Sequence, residues 1–394
     1  MIVKDKVKLI EQRLKEKRSF IQVISGPRQV GKTTVILDYL KKTDKNNVYI
    51  TADDVSPDND IWISQQWETV RLRMKTQNVR EYVFVIDEIQ KIKNWSETVK
   101  LEWDKDSREG NNIKVVLLGS SNLLLQKGLT ESLAGRFELI KMMHWSYSEM
   151  KDVFGFTPEQ YVWFGAYPGA GELINDEDRF KSYIKNSIIE ATITKDILLM
   201  TRVDKPALLK SVCELGLLYS SQVLSYNKML GQLKDAGNTT TVSHYIDLLD
   251  TSGILGGIQK YTVKAVKGRS SSPKLMAYNT SLINAMIPEK FSEIIAKPEK
   301  WGRMVESCVG SYLMNRSKLE NFEVYYWIDS NAEVDFVIKK GDKIACLEVK
   351  SGKISKSAGI KKFIGQFGDV KSYIIGGQGL SWQEFLMISP SELF

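Results

Sequence analysis

The sequence predicts an α/β protein in three parts: a parallel sheet wrapped by helices, a helical middle, and a small α/β segment at the C-terminus. Three observations carry that prediction. Strand-length apolar runs at 20–24, 47–54, 82–86, 113–122 and 137–145 alternate with helix-patterned segments, which is the βα rhythm of a parallel sheet. Residues 205–254 read as three helices, and two strand-like stretches follow them. From residue 298 the order is helix, three strands, helix, strand. At 394 residues the chain exceeds what one hydrophobic core serves, so several domains are expected.

The N-terminal elements come first. In "FIQVISGPRQVGKTTVILDYL" an apolar strand, Phe20 to Ile24, runs into a glycine-containing loop and then a helix with Val35, Ile36, Tyr39 and Leu40 at helical spacing. This is the P-loop pattern in its strand–loop–helix context. Gly26, Pro27, Arg28, Gln29, Val30, Gly31, Lys32, Thr33 and Thr34 are the expected ATP-binding residues. Gly26 and Gly31 let the backbone curl so that its amides face phosphate oxygens, and the helix N-terminus adds positive potential. Lys32 is expected on the β- and γ-phosphates, and the Thr33 hydroxyl on Mg2+.

A P-loop calls for a second, acidic strand end on a neighbouring strand. The run Tyr82 to Ile86 is continuously apolar, as in a strand buried on both faces, and it ends in Asp87 and Glu88. Asp87 is expected to hold Mg2+ through water, and Glu88 to orient or deprotonate the attacking water. Ser120, Ser121 and Asn122 close the fourth strand, and Ser121 is the candidate sensor of the γ-phosphate or lytic water. Arg136, just before the last strand, is a candidate for offsetting γ-phosphate charge in cis or from a neighbouring subunit. The plain alternatives are a strand-ending serine and a surface ion pair.

In the middle, "PALLKSVCELGLLYSSQV", "SYNKMLGQLKDAG" and "TTTVSHYIDLLDTSGI" read as helices, with Val242, Tyr245, Ile246, Leu248 and Leu249 on the buried face of the third. The stretches "LGGIQKYTV" and "PKLMAYN" complete a winged-helix order. No acidic residue occurs from Thr251 to Pro288, while Lys260, Lys264, Lys267, Arg269 and Lys274 lie in or beside the hairpin. These are the candidate DNA-phosphate contacts. The alternative is a protein contact with a solvated lysine face.

At the C-terminus, helix–three strands–helix–strand is the core order of a PD-(D/E)XK nuclease-like fold. Period-2 alternation in "AEVDFVIKK" puts Glu333, Asp335 and Val337 on one face. In "KIACLEVKSG" it puts Glu348 and Lys350 on one face. Asp335 and Glu348 are candidate metal ligands, Glu348 and Lys350 candidate catalytic groups, and Glu306 an extra acid. An exposed hairpin with alternating charges is the alternative reading.

Composition narrows the classes. The N-terminus is charged from the start and no apolar run is long enough to span a bilayer, so a cytoplasmic protein without a membrane segment is expected. Cys213, Cys308 and Cys346 are too far apart for a redox or zinc pair, and with only two histidines any metal is expected to be a hard cation on oxygen ligands. A net charge of +7 favours an acidic partner such as nucleic acid.

The GPRQVGKTT, DEIQ, GSS and LAGR blocks together resemble a family of AAA+-type P-loop ATPases of archaea and bacteria. The resemblance spans essentially the whole chain. It implies a P-loop AAA+-type sheet core (1–150), a helical and winged-helix-like region (151–290), and a restriction-endonuclease-like domain (291–394). Departures are "WSYSEM", "AYPGAG" and "AYNTS", the last with Asn279 where the family usually has aspartate. The resulting expectation is an ATPase that uses ATP and Mg2+ as a switch acting on DNA, with a homo-oligomer admitted. Two alternatives are a signalling switch whose outer domains bind proteins and cut nothing, and a nuclease gated by ATP.

Overall fold

The computed structural model describes residues 4–119, 129, 132–199, 201–234, 237–262, 271–350 and 358–394. They form two compact units, Met1–Met142 and Met143–Phe394.

In the first unit five strands form one parallel sheet: β1 (Ile21–Ser25), β2 (Asn47–Thr51), β3 (Tyr82–Asp87), β4 (Ile113–Gly119) and β5 (Phe137–Lys141), in the order β2-β3-β4-β1-β5. Side chains alternate between two covered faces. Val23, Phe84, Ile86, Val115 and Leu117 pack against α3 (Trp62–Thr76) and α4 (Trp95–Glu109) through Trp67, Val70, Val99 and Trp103. Ile24, Val83, Val85, Val116 and Leu118 pack against α1 (Lys4–Lys15) and α2 (Lys32–Lys42) through Ile10, Leu14, Val35, Ile36 and Tyr39. Because both faces are covered, β1, β3 and β4 are buried at every position rather than at alternate ones, and β3 is apolar without a break from Tyr82 to Ile86. Full burial of a side chain such as Phe84 contributes about 2–3 kcal/mol. The acidic strand β3 is not the immediate neighbour of the P-loop strand β1 that the motif suggested; β4 lies between them.

The second unit opens with helices Tyr147–Phe154 and Pro158–Phe164, each started by a capping box, Ser146 with Glu149 and Thr157 with Gln160. The helical segment after them winds as a π-helix over Ile184–Glu190 and Thr192–Leu198. Next come α5 (Pro206–Leu218), α6 (Tyr226–Leu230) and α7 (Thr239–Thr251). The expected apolar face of α7 is buried, and Asn238 caps it by accepting from the Thr241 amide at 2.9 Å. Asn279, the departure in "AYNTS", is buried and hydrogen-bonded through both ends of its amide. Its Oδ1 accepts from the amides of Ala166 and Ser281, and its Nδ2 donates to Nδ1 of buried His144 at 3.2 Å.

A seven-stranded sheet unites what the sequence divides into a wing and a C-terminal fold. Its strands are β6 (Gln222–Val223), β7 (Leu255–Lys260), β8 (Lys274–Ala277), β9 (Glu323–Asp329), β10 (Ala332–Lys340), β11 (Lys343–Lys350) and β12 (Lys371–Gly376). Their order is β12-β11-β10-β9-β7-β8-β6, with β7 parallel to β9 at Gln259–Tyr325 and Lys260–Tyr326. Helix α8 (Pro298–Glu320) packs against β8, β9 and β11, and α9 (Ala358–Phe367) against β10 and β11. The α9 side holds Trp327, Val334, Val337, Cys346 and Phe363.

Strict alternation in β10 fails at a β-bulge between Val334 and Val337. Val337 shares a buried cluster with Val334 rather than facing the same way as Glu333. The extra residue is what a bulge inserts, and it turns the following side chains over.

Candidate functional site

The loop after β1 is built by backbone constraints that the sequence requires. A Cβ at Gly26 would lie 1.8 Å from the Met142 carbonyl oxygen, so only glycine fits beside the strand end. Gly31 has φ +88°, and Gln29 also adopts a left-handed φ of 61°. Alternating left- and right-handed residues make a concave nest of amides, suited to anions. Gly31 begins α2 without a side-chain cap, so first-turn amides face the loop. Lys32 is buried, and its Nζ donates to the carbonyls of Gly26 at 2.9 Å and Pro27 at 2.7 Å. Those oxygens occupy the role that phosphate oxygens play for a P-loop lysine.

Across β4, the Thr33 hydroxyl donates to Asp87 Oδ2 at 2.7 Å. The Tyr49 hydroxyl donates to the same oxygen at 2.7 Å, and the Glu88 amide donates to Oδ1 at 2.8 Å. Thr33 and Asp87 thus stand together at the carboxyl edge of the sheet, and their oxygens suit a hard cation such as Mg2+. Burial, reinforced by the Asp87 carboxylate, pushes the Tyr49 hydroxyl far above the ordinary tyrosine range, so it stays a donor. Glu88 has a left-handed φ of 52°. Strain of this kind costs of order 1–3 kcal/mol and gathers at functional sites. Buried Gln90 donates to Glu88 Oε2 at 2.6 Å, while Gln90 Oε1 has no partner among the described residues. Asp53, at the end of β2, pairs with Lys91. Burial raises the Asp53 pKa, but Lys91 and Arg28 outweigh it and hold the carboxyl below its usual range.

Tyr49 carries no motif of its own, and Gln90 stands in the DEIQ block without a role that the sequence assigns; sequence reasoning misses both. A period-2 count along β2 against β3 finds Tyr49, because it pairs with Val85 and so shares the face of Asp87.

Arg136 stands elsewhere. The Ile21 amide bonds to the Arg136 carbonyl at 2.8 Å, which puts Arg136 at the opening end of β1 while the P-loop follows its closing end. Its guanidinium clasps Asp104 on α4 through Nε at 2.8 Å and Nη2 at 3.0 Å. Within one chain it therefore lies at the sheet edge opposite the nucleotide site, and the expected role in cis is corrected. Ser121 lies outside the described residues, as do Ser120 and Asn122.

Of the five expected DNA contacts, Lys264, Lys267 and Arg269 lie outside the described residues, and Lys260 ends β7 in a half-buried position. Lys274 is a correction: it is 0% exposed and faces the acids of the C-terminal segment. Its Nζ lies 2.7 Å from Glu306 Oε1, 3.8 Å from Asp335 Oδ1 and 3.9 Å from Glu333 Oε1. A buried side chain cannot pair with a DNA phosphate. Asp335 Oδ2 also accepts from the Val349 amide at 2.7 Å, and Lys350 Nζ pairs with Glu348 Oε1 at 2.8 Å. Asp335, Glu348, Lys350 and Glu306 lie in one neighbourhood, in which Lys274 pairs with Glu306 and Asp335, and Lys350 with Glu348. Among the described residues no three histidine, cysteine or acidic side chains form a metal-binding group.

Residues 18–151 match a family model described as an AAA domain. Residues 156–293 and 301–379 match two domains of unknown function, DUF8612 and DUF4143. An uncharacterized protein of Haemophilus influenzae is 23% identical over 352 residues, covering 84% of this chain and 82% of that protein. One of Methanocaldococcus jannaschii is 22% identical over 338 residues, covering 81% and 72%. Among solved structures, the Aeropyrum pernix ORC1 protein in complex with DNA aligns with a TM-score of 0.32 at 13% identity, over 74% of this chain and 94% of that one. The nest after β1, the acidic end of β3 and the match over residues 18–151 together establish a P-loop fold of the AAA type in the N-terminal part of the chain.

Proposed function

We propose that the protein is a MgATP-binding and -hydrolysing switch whose second unit passes the nucleotide state to DNA. The observation that carries the nucleotide reading is the pairing of a caged lysine with a Thr33–Asp87 hydrogen bond of 2.7 Å. Amides of residues 26–33 would cradle the phosphates, with Lys32 exchanging the Gly26 and Pro27 carbonyls for phosphate oxygens. Thr33 and, through water, Asp87 would hold Mg2+, which supplies charge neutralisation on the phosphates. Tyr49 and the Glu88 amide keep the Asp87 carboxylate oriented. Glu88 would accept a proton from the attacking water.

DNA as partner is supported by the net charge of +7 and the acid-free stretch from Thr251 to Pro288, now without Lys274. A second reading, a switch whose outer parts bind proteins, is favoured by the burial of that lysine.

The test is nucleotide binding and turnover in Mg2+. Lys32→Ala is expected to lose at least tenfold in ATP affinity. Glu88→Gln is expected to bind ATP normally and to turn it over about a hundredfold or more slowly, the scale of a lost general base. Turnover that survives both changes would overturn the assignment.

A further inference from the structure

The acids of the C-terminal segment already surround a cation. Lys274 opens β8, a strand flanked on both sides: the residue pairs with Ile258 of β7 and Val223 of β6. Its backbone is thus fixed within the sheet, and its side chain has no route to solvent. The ammonium ends among Glu306 of α8 and Glu333 and Asp335 of β10, 2.7–3.9 Å from a carboxylate oxygen of each. It also donates to the Asp335 carbonyl at 3.3 Å and sits 4.8 Å over the Phe336 ring. Asp335 and Phe336 are consecutive, and the bulge in β10 lets both reach one nitrogen. Nearby, Lys350 neutralises Glu348 at 2.8 Å.

We infer that Lys274 is the resident cation of this acid cluster, held where a divalent metal would otherwise lie, so that the protein takes no Mg2+ or Mn2+ there. Three features support this. A buried ammonium is costly unless paired and hydrogen-bonded, and this one is both. Its 2.7 Å contact with Glu306 has the length of a charge-assisted hydrogen bond. A dication among the same oxygens would be a near neighbour of the ammonium and would be repelled by it, in a setting where water screens little. The segment then keeps the strand order and acids of a metal nuclease while its metal position is filled from a strand outside that order. A phosphodiester bound there would find neither a Lewis acid nor a metal-activated water.

The experiment is titration of the full-length, nucleotide-free protein with Mn2+, read by calorimetry and by thermal denaturation. Wild type is expected to show no heat assignable to the cluster and no change in Tm. Lys274→Met is expected to gain one site, at least tenfold tighter than any wild-type binding, with a Tm that rises with Mn2+. Adding Asp335→Asn to that variant is expected to abolish the gain. If wild type binds Mn2+ and Asp335→Asn alone removes the binding, the inference is overturned. A folded Lys274→Met that gains no site overturns it equally. Should Lys274→Met fail to fold, Lys274→Gln, which removes the charge and keeps every carboxylate of the cluster, takes its place with the same expectations.

Discussion

At the scale of single residues, the nucleotide site depends on side chains that the motif does not contain. Tyr49 reaches Asp87 Oδ2 from a strand outside both the P-loop and the acidic strand. Its hydroxyl is one of three donors that orient the Asp87 carboxylate, with the Thr33 hydroxyl and the Glu88 amide. Tyr49→Phe keeps the ring and removes the donor. The expected result is a rise of about tenfold in the Mg2+ concentration needed for half-maximal ATP turnover, the usual cost of losing an outer-sphere partner of a metal ligand. Metal-free nucleotide binding should stay unchanged, because the Tyr49 hydroxyl bonds to Asp87 rather than to the P-loop. A magnesium titration of both proteins at saturating ATP checks it. Lys32, Thr33 and Asp87 are legible in the sequence because loop, hydroxyl and acid keep fixed spacing from their strands. Tyr49 is not, because its role depends on which strand β2 pairs with.

At the scale of elements, the charges between α8, β8 and β10 make a pH-sensitive joint. Burial pushes the Glu306 carboxyl up to about 7, against the pull of Lys274 and helped by the nearby Asp335 charge. Lys274 loses stability as an ammonium through burial, but Glu306 and Asp335 outweigh that and raise its pKa. Four carboxylates meet two ammonium groups here, so retention of one proton on Glu306 is reasonable electrostatics. A glutamate in the unfolded chain titrates near its ordinary value of 4.5. The folded state therefore binds the extra proton between about 4.5 and about 7. Its stabilising effect is complete below that window and is lost as pH rises through it. Chemical denaturation at pH 5, 6, 7 and 8 is expected to show stability falling through this range, and Glu306→Gln is expected to flatten the fall. A wild-type slope unchanged in the variant would remove Glu306 as its source. The β10 bulge belongs to the same scale. Alternation predicts Val337 beside Asp335, and one inserted residue reverses it.

At the scale of the whole molecule, the question is what a chain with +7 net charge meets. If DNA is the partner, its affinity is expected to fall steeply and linearly in log–log form as salt rises, through counterion release. Fluorescence anisotropy with a labelled duplex across a salt series measures the slope. A flat response, or no binding at low salt, would favour the protein-binding switch. Arg136 also matters at this scale. Clasped to Asp104 at the edge opposite the P-loop, it can act on phosphate only in another subunit's site.

The local part of this protein is written in the sequence itself. Strand, glycine loop and helix follow from backbone sterics and apolar periodicity, and both act over a few neighbouring residues. So do the five strands of the first sheet and the order of the C-terminal elements. Long-range pairing is decided only by the tertiary structure. β4 intervenes between the P-loop and acidic strands, β7 joins β9, and Lys274 turns from a surface wing into a nest of acids. Each of these depends on which distant strand completes a hydrogen-bond ladder, and on whether an ammonium is better compensated by water or by carboxylates. Neither choice leaves a mark on the residues next door in the chain.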